Sequence, residues 1–415
     1  MHYISLNDAV ASLLRTKFAK HHFVEVLPLQ TPDGLPLEQD VRSELWTGMA
    51  WHILRKSAPE GSIIVYVRIW TDGWSLDRHK TEMNAPWSIY LILSNLPTEL
   101  LSHELARELL CVCPESEVNQ RMDKLVEELM ELENRPLRAY SSFHGSQVDV
   151  VVRLLAIDGD YQSQVHKHAS LNGARSKKSG LHSRRTSGTF INIKDVSTIK
   201  FRDGAQVYKW YLEKNFEKLQ KEGHKAEMPR LFQLGYLIEF FYRYLSLDRL
   251  HFWDLGLIAL LFDWITLLPD GDELAKLLDS LLKKAQDLQA EMKCPLELRE
   301  VKGIYYRSKK SSRSRERTFP KLARRPLEGK EYHSIIKFSP AIFYELHEIH
   351  PSLYMLFCAA AAAQRSIYLD SLTLEQRQQL QNEIHAFKFR LRSTFSDPQC
   401  FNYERPNIDA RTFYI

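Results

Sequence analysis

Two stretches constrain this chain more than any others. The first is Ile63–Ser75, IIVYVRIWTDGWS, an apolar and β-branched run that ends in one acid, Asp72, followed by Gly73. The second is Val148–Asp160, VDVVVRLLAIDGD, a run of the same design ending in Asp158 and Asp160. Such a run, bounded by turn residues, reads as a buried strand that delivers a carboxylate at its end. A charge at a buried strand end is costly unless something pairs with it, and a metal ion is one such partner. A lone Asp-Gly more commonly just opens a β-turn. The repetition of the design is what raises Asp72 above that reading.

The segments between the two runs supply a topology. Trp87–Leu93 (WSIYLIL) reads as a second strand closed by the turn Asn95–Thr98, and Arg107–Cys113 (RELLCVC) as a third, ended by Pro114. Over Glu117–Asn134, Val118, Met122, Leu125, Val126, Leu129, Met130 and Leu132 recur near helical spacing. Strand, strand, strand, helix, strand is the order of an α/β sheet with mixed strand directions. In it the first and last strands can lie side by side and bring Asp72 and Asp160 together. Two carboxylates a few ångströms apart repel unless they are protonated or bridged by cations. With Mg²⁺ or Mn²⁺ they form a two-metal site for in-line phosphoryl transfer. The pattern resembles the ribonuclease H-like fold shared by many nucleases and transposases.

The rest of the chain is more helical. Residues 1–60 read as mostly helical, with Leu14 and Phe18 on one side. His166–Gly188 is basic, polar and glycine-bearing, an exposed loop whose Lys177, Lys178, Arg184 and Arg185 suit phosphates; His166 and His168 read as surface residues. Gln206–Leu219 and Leu274–Met292 read as amphipathic helices flanking the very apolar, aromatic block Leu231–Trp264. Inside that block Asp248 and His251, three residues apart, share a helix face, and a polar pair amid apolar neighbours calls for a partner. Tyr305–Arg325 is the strongest basic run, with Arg307, Lys309, Lys310, Arg313, Arg315 and Arg317. No apolar periodicity survives there, so it reads as a flexible loop or linker. It suits a nucleic-acid backbone or nuclear localisation, and a merely solvated loop explains its composition equally well. Further helices are expected from Glu331, over Leu353–Ser366 and over Leu374–Phe395, before an irregular tail.

Length and composition set outer bounds. A chain of 415 residues has room for two or three domains, and 44% hydrophobic with 26% charged residues is ordinary for a globular protein. The net charge of +4 is too small to argue for nucleic acid by itself. Five scattered cysteines form neither a disulfide framework nor a zinc pattern, which fits a reducing compartment. The N-terminus does not read as a secretory signal, and the longest apolar run, Leu353–Ala363, is too short to span a bilayer. A soluble intracellular protein with no membrane partner is expected.

Taken together, the motifs resemble the catalytic region of CACTA-type (En/Spm-like) DDE transposases, in order from Asp40 to Phe395. DVRSELWTGMAW (Asp40–Trp51) resembles the segment ahead of the family's first catalytic strand. IWTDGWS resembles the first-acid motif, and SIYLILSNLPTELL (Ser88–Leu101) the asparagine-leucine-proline signature, the most specific match. LLAIDGD resembles the second-acid motif, LSLDRLHFWDLG (Leu245–Gly256) the acid-x-x-histidine segment, and RRPLEGKEYHSIIKFSP (Arg324–Pro340) the segment of the final acid. The resemblance implies Asp72, Asp160 and Glu331 as catalytic metal ligands, with Asp158 the fallback for the second, and His251 with Asp248 contacting DNA near the scissile phosphate. The gap from Asp160 to Glu331 is about twice that from Asp72 to Asp160, as a large helical insertion between the second and third acids would produce. The expected organisation is an N-terminal helical segment (1–60), the first part of a ribonuclease H-like core (61–165), a basic loop and helical insertion (166–320), and C-terminal helices completing the core (321–415).

Three departures qualify the resemblance. The family's glycine-cysteine-x-x-cysteine element is replaced by Asn172–Lys178, NGARSKK, so no structural zinc is expected. Tyr161, Gln162 and Ser163 stand where a proline and alanine commonly follow the second acid. The family also continues into a histidine-rich helical segment past the point matched by Ile415, so a truncated copy, or a host gene derived from one, is expected. The implied function is DNA strand cleavage and transfer with two Mg²⁺ or Mn²⁺ ions, DNA transposon ends as partner, the nucleus as location, and room for a homo-oligomer. The rival expectation is a catalytically inactive, transposon-derived DNA-binding or protein-interaction domain. A helical scaffold with no nucleic-acid role, resting on the apolar block alone, is the third.

Overall fold

The structure, a computed structural model, describes residues 3–25, 41–42, 49–73, 86–159, 202–238, 241–244, 250–266, 268–292, 298, 301–307, 322–369 and 372–395. By its contacts the chain divides into two compact units, Met1–Thr186 with Ser197–Asp248, and Ser187–Val196 with Arg249–Ile415.

The first unit is built on a mixed five-stranded sheet. Its strands are β1 (Ile63–Gly73), β2 (Pro86–Leu93), β3 (Arg107–Pro114), β4 (Leu137–Ser141) and β5 (Ser146–Gly159), in the spatial order β3-β2-β1-β5-β4. The antiparallel meander β1-β2-β3 is followed by a helical crossover to β5, which lies parallel to β1. Helices α1 (Leu6–Leu14), α2 (Lys17–His22) and α3 (Met49–Lys56) precede the sheet, and the crossover helix α4 is Val118–Asn134. Helix α4 buries Val118, Met122, Leu125, Val126, Leu129 and Leu132, the stripe that its spacing predicts, and packs on β5.

The mixed sheet and the β1–β5 pairing are as the sequence suggests. Strand β4 is the addition: it forms an antiparallel hairpin with β5 through a turn in which Gly145 has φ +65°. Its sequence, LRAYS, buries only Ala139 and Ser141 and turns Arg138 and Tyr140 outward. A short edge strand of this kind carries no apolar run to betray it.

Strand β1 has two different faces. Val65, Val67, Ile69 and Thr71 are buried on one. On the other, Ile64 and Tyr66 are buried and the following Arg68, Trp70 and Asp72 are half-buried. Tyr66 stacks on Trp51 at 3.6 Å between ring centroids. Where β2 ends, the side chain of Asn95 continues its ladder onto β1. Its Oδ1 accepts the Tyr66 N–H at 2.7 Å, and its Nδ2 donates to the carbonyls of Ile64 at 3.0 Å and Val24 at 2.9 Å. The asparagine of the asparagine-leucine-proline motif thus has a physical role, because its buried amide ties the segment after α2 to the central strand.

The amphipathic stretch over 206–219 is two helices rather than one. Helices α5 (Gly204–Leu212) and α6 (Phe216–Lys221) are separated at Lys214, whose φ is +51°, and the Asn215 side chain caps α6 by accepting the Lys218 N–H.

The second unit is mostly helical: a π-helix over Leu250–Ile258, then α7 (Ala259–Ile265), α8 (Gly271–Glu291), α9 (Gly329–Ile342), α10 (Pro351–Ile367) and α11 (Leu374–Thr394). Its core is aromatic, with Trp253, Phe262, Tyr332, Phe343, Phe357 and Phe387 almost fully buried. The apolar run Leu353–Ala363 lies within α10, as expected of a buried helix.

The reading of Tyr305–Arg325 as a loop or linker needs correction at its ends. Residues Tyr305–Arg307 (β6) and Leu322–Arg324 (β7) pair as antiparallel strands. Asp279 accepts the backbone N–H groups of Ile304 at 2.6 Å and Tyr305 at 3.2 Å. Arg324 grips Asp263 with two bonds, at 2.9 and 3.2 Å. Long-range partners that no local pattern reveals thus hold both ends. Among the described residues no helix is long and apolar enough to cross a membrane.

Candidate functional site

The acid-bearing ends of β1 and β5 are adjacent because the strands are parallel. Trp70 pairs with Asp158 and Thr71 with Gly159, after a bulge between Val67 and Arg68. Paired residues project from the same face of a sheet, so Arg68, Trp70, Asp72 and Asp158 share one side. Asp72 itself pairs with Ser88 of β2 and is half-buried. The next residue, Gly73, pairs with Trp87, and a Cβ built there would lie 2.8 Å from the indole. Glycine therefore lets the Trp87 ring cross the end of β1 directly after the acid.

Asp158 is already engaged. Its carboxylate forms an ion pair with the Arg68 guanidinium, the aspartate side chain 11% and the arginine 23% exposed. A carboxylate placed this deep between strands needs a counter-charge, and here an arginine two residues back from Trp70 supplies it. Asp160 lies outside the described residues, as do Asp248, Lys177, Lys178, Arg184, Arg185, Lys309, Lys310, Arg313, Arg315 and Arg317.

The remaining candidates belong to the second unit. Arg307 ends β6 and is exposed. His251 lies in the π-helix, and its side chain is outside the described set. Glu331 is the third residue of α9, where its carboxylate accepts the Glu328 N–H at 2.6 Å in a reciprocal capping box. That bond gives Glu331 a helix-starting role of its own. Asp72 and Glu331 sit in different units. Among the described residues, no group of three or more His, Cys, Asp or Glu is placed to hold a metal ion.

Sequence reasoning singles out Asp248 and His251 and misses a fully buried acid of the second unit. Asp254, on the same π-helix as His251, is fully buried. The Tyr368 hydroxyl donates to its carboxylate, and His333 Nδ1 lies 3.9 Å from the same oxygen. Beside it, Trp253 Nε1 donates to Gln364 Oε1 at 3.1 Å, and Gln364 Nε2 donates to the His333 carbonyl at 2.8 Å. The signal that could have found it is an acid within LHFWDLGLI, apolar on both sides. π-Helical turns in proteins are often found at functional sites, and here the irregularity carries the buried acid.

The chain matches no protein-family model and no curated protein sequence.

Proposed function

We propose that the first unit is a ribonuclease H-like core that acts on DNA by phosphoryl transfer, as the resemblance to CACTA transposases implies. One observation carries this reading: the two acid-ended strands are parallel neighbours, with Trp70 against Asp158 and Thr71 against Gly159. The reading takes Asp72 and Asp160 as its acid pair, as the resemblance implies; Asp160 lies outside the described residues. The meander, the helical crossover and the return strand beside the first support the fold assignment.

A divalent cation fits part of the donor set. Asp72 is a half-buried carboxylate at a strand end. Asp158 fits poorly, because a guanidinium already neutralises it. The reading therefore assigns Asp72 and Asp160 as holders of Mg²⁺ or Mn²⁺. Glu331 enters as the third acid on the strength of the resemblance alone. Such cations, when bound, polarise a phosphodiester and lower the pKa of water. The chain's own residues do the remaining work. The acids fix the charge at the strand ends, and the basic segments 166–188 and 305–325 neutralise DNA backbone charge. His251 and Asp248 belong beside that backbone in this reading, and nuclear localisation follows from a DNA substrate.

A second reading has specific support. Candidate acids have partners within the chain, among them Asp158 with Arg68 and Glu331 in its own helix cap. Acids retained for structure are what a catalytically inactive DNA-binding or protein-interaction domain would keep. Calorimetry with Mn²⁺ on the wild type, Asp72→Ala and Asp160→Ala separates the two. Binding that is lost in both variants, with Mn²⁺-dependent nicking of DNA that is lost with it, supports the enzyme. Wild-type DNA binding with neither Mn²⁺ binding nor nicking supports the inactive domain.

A further inference from the structure

We infer that Arg68 is a phosphate-binding residue of this site and that Asp158 is the residue that positions it, not a metal ligand. The inference rests on the DNA-directed reading above and adds to it a specific contact for the substrate's backbone.

Three observations carry it. Arg68 and Asp72 stand on the same face of β1, four residues apart, and that face is the half-buried one. At about 3.3 Å of rise per residue, their Cα atoms lie about 13 Å apart, a distance that the long arginine side chain shortens. Second, Asp158 takes one side of the guanidinium as an ion pair. A guanidinium has five N–H donors in a rigid fork, so one carboxylate leaves others for a second anion. Third, Arg68 Nε is buried and has no hydrogen-bond partner among the described residues. A buried charged donor without an acceptor is rare in folded proteins and costs stability unless something supplies one.

A phosphodiester oxygen has the right chemistry to accept from the exposed part of this guanidinium, whose side chain is 23% exposed. It is anionic and it accepts bidentate bonds from arginine. The carboxylate of Asp158, opposite Trp70 in the register, holds one side of the guanidinium in place. The pair thus separates two functions on one sheet face, cation binding at Asp72 and anion binding at Arg68.

The test uses the full chain with fluorescently labelled double-stranded DNA, followed by anisotropy across a salt series, and calorimetry with Mn²⁺ alone. Arg68→Gln is expected to weaken DNA binding about tenfold and to lower the slope of log affinity against log salt by about one. Mn²⁺ binding is expected to stay as in the wild type. Arg68→Lys keeps the charge and is expected to keep the slope while recovering only part of the affinity, which distinguishes a lost contact from a misfolded variant. Asp158→Asn is expected to bind Mn²⁺ normally. If Arg68→Gln binds DNA with wild-type affinity and slope, the phosphate role is wrong while the DNA-directed reading stands. If Asp158→Asn loses Mn²⁺ binding, Asp158 is a ligand and its assignment as a positioning residue fails. If the wild type binds no DNA at all, this inference and the reading beneath it fail together.

Discussion

Replacing Asn95 by alanine should destabilise the first unit far more than a surface amide would. The residue is fully buried. Its side chain makes three bonds to main-chain groups: it accepts from Tyr66 N–H and donates to the Ile64 and Val24 carbonyls. Alanine leaves all three groups without that partner. A buried main-chain group stripped of its bond costs about 1–3 kcal/mol. The Ile64 and Tyr66 groups are fully enclosed, whereas the Val24 carbonyl is only partly so and regains some hydration. Counting the two enclosed groups fully, and allowing for water entering the vacated space, the loss is about 3–5 kcal/mol. That is a large fraction of the about 5–15 kcal/mol that holds a typical domain folded. Asn95→Asp should be at least as damaging at neutral pH. It keeps the acceptor for Tyr66 but turns an oxygen toward two carbonyls. The assay is hydrogen exchange of the Tyr66 amide together with urea unfolding followed by circular dichroism. A loss below about 1 kcal/mol, or an equally protected Tyr66 amide in the alanine variant, would refute the idea that this side chain completes the ladder.

Three other perturbations have defined outcomes. Gly204→Ala would put a Cβ 1.9 Å from the Ile238 carbonyl oxygen, so a backbone shift is forced and the urea midpoint should fall by the equivalent of about 3 kcal/mol; an unchanged midpoint would show that α5 starts elsewhere. Burial, reinforced by neighbouring Cys113, pushes the Cys111 thiol from 9.0 up to about 12. Because the folded value is raised, its contribution to stability is complete below 9 and is lost as pH rises toward 12. Alkylation of the native protein at mildly basic pH should therefore spare Cys111, and peptide mapping that finds it modified before unfolding would contradict its burial. Asp254→Ala removes the buried acceptor of the part-buried Tyr368 hydroxyl and should lower the thermal stability of the second unit by on the order of 3 kcal/mol, with Asp254→Asn costing less because its carbonyl oxygen still accepts; a loss below about 1 kcal/mol in the alanine variant would mean that this bond contributes little.

Much of the architecture was legible in local patterns. The runs Ile63–Ser75 and Val148–Asp160 announced β1 and β5 because a strand buried between neighbours must be apolar along its length. The helical spacing of Val118 through Leu132 announced α4 because one stripe of a helix must face the sheet. Strand β4 escaped because an edge strand needs only alternate small residues inward, and Ala139 and Ser141 send no apolar signal. The hairpin ends Tyr305–Arg307 and Leu322–Arg324 escaped for another reason. They are held by Asp279 and Asp263, which lie tens of residues away in the chain. A distant charge leaves no mark on the periodicity of the segment it holds.

The candidate site divides in the same way. The sequence by itself determined that acids end two buried strands, because apolar runs and the residues that terminate them are local properties. Only the tertiary structure decided what those acids meet. Parallel pairing set Trp70 against Asp158, which gave Asp158 to Arg68. The tertiary structure also set a second acid of the Leu245–Gly256 segment, Asp254, beside Tyr368 and His333. The physical reason is common to both. An acid's chemistry is set by the charge and the donors within a few ångströms of it, and those neighbours arrive from strands and helices that only folding brings together.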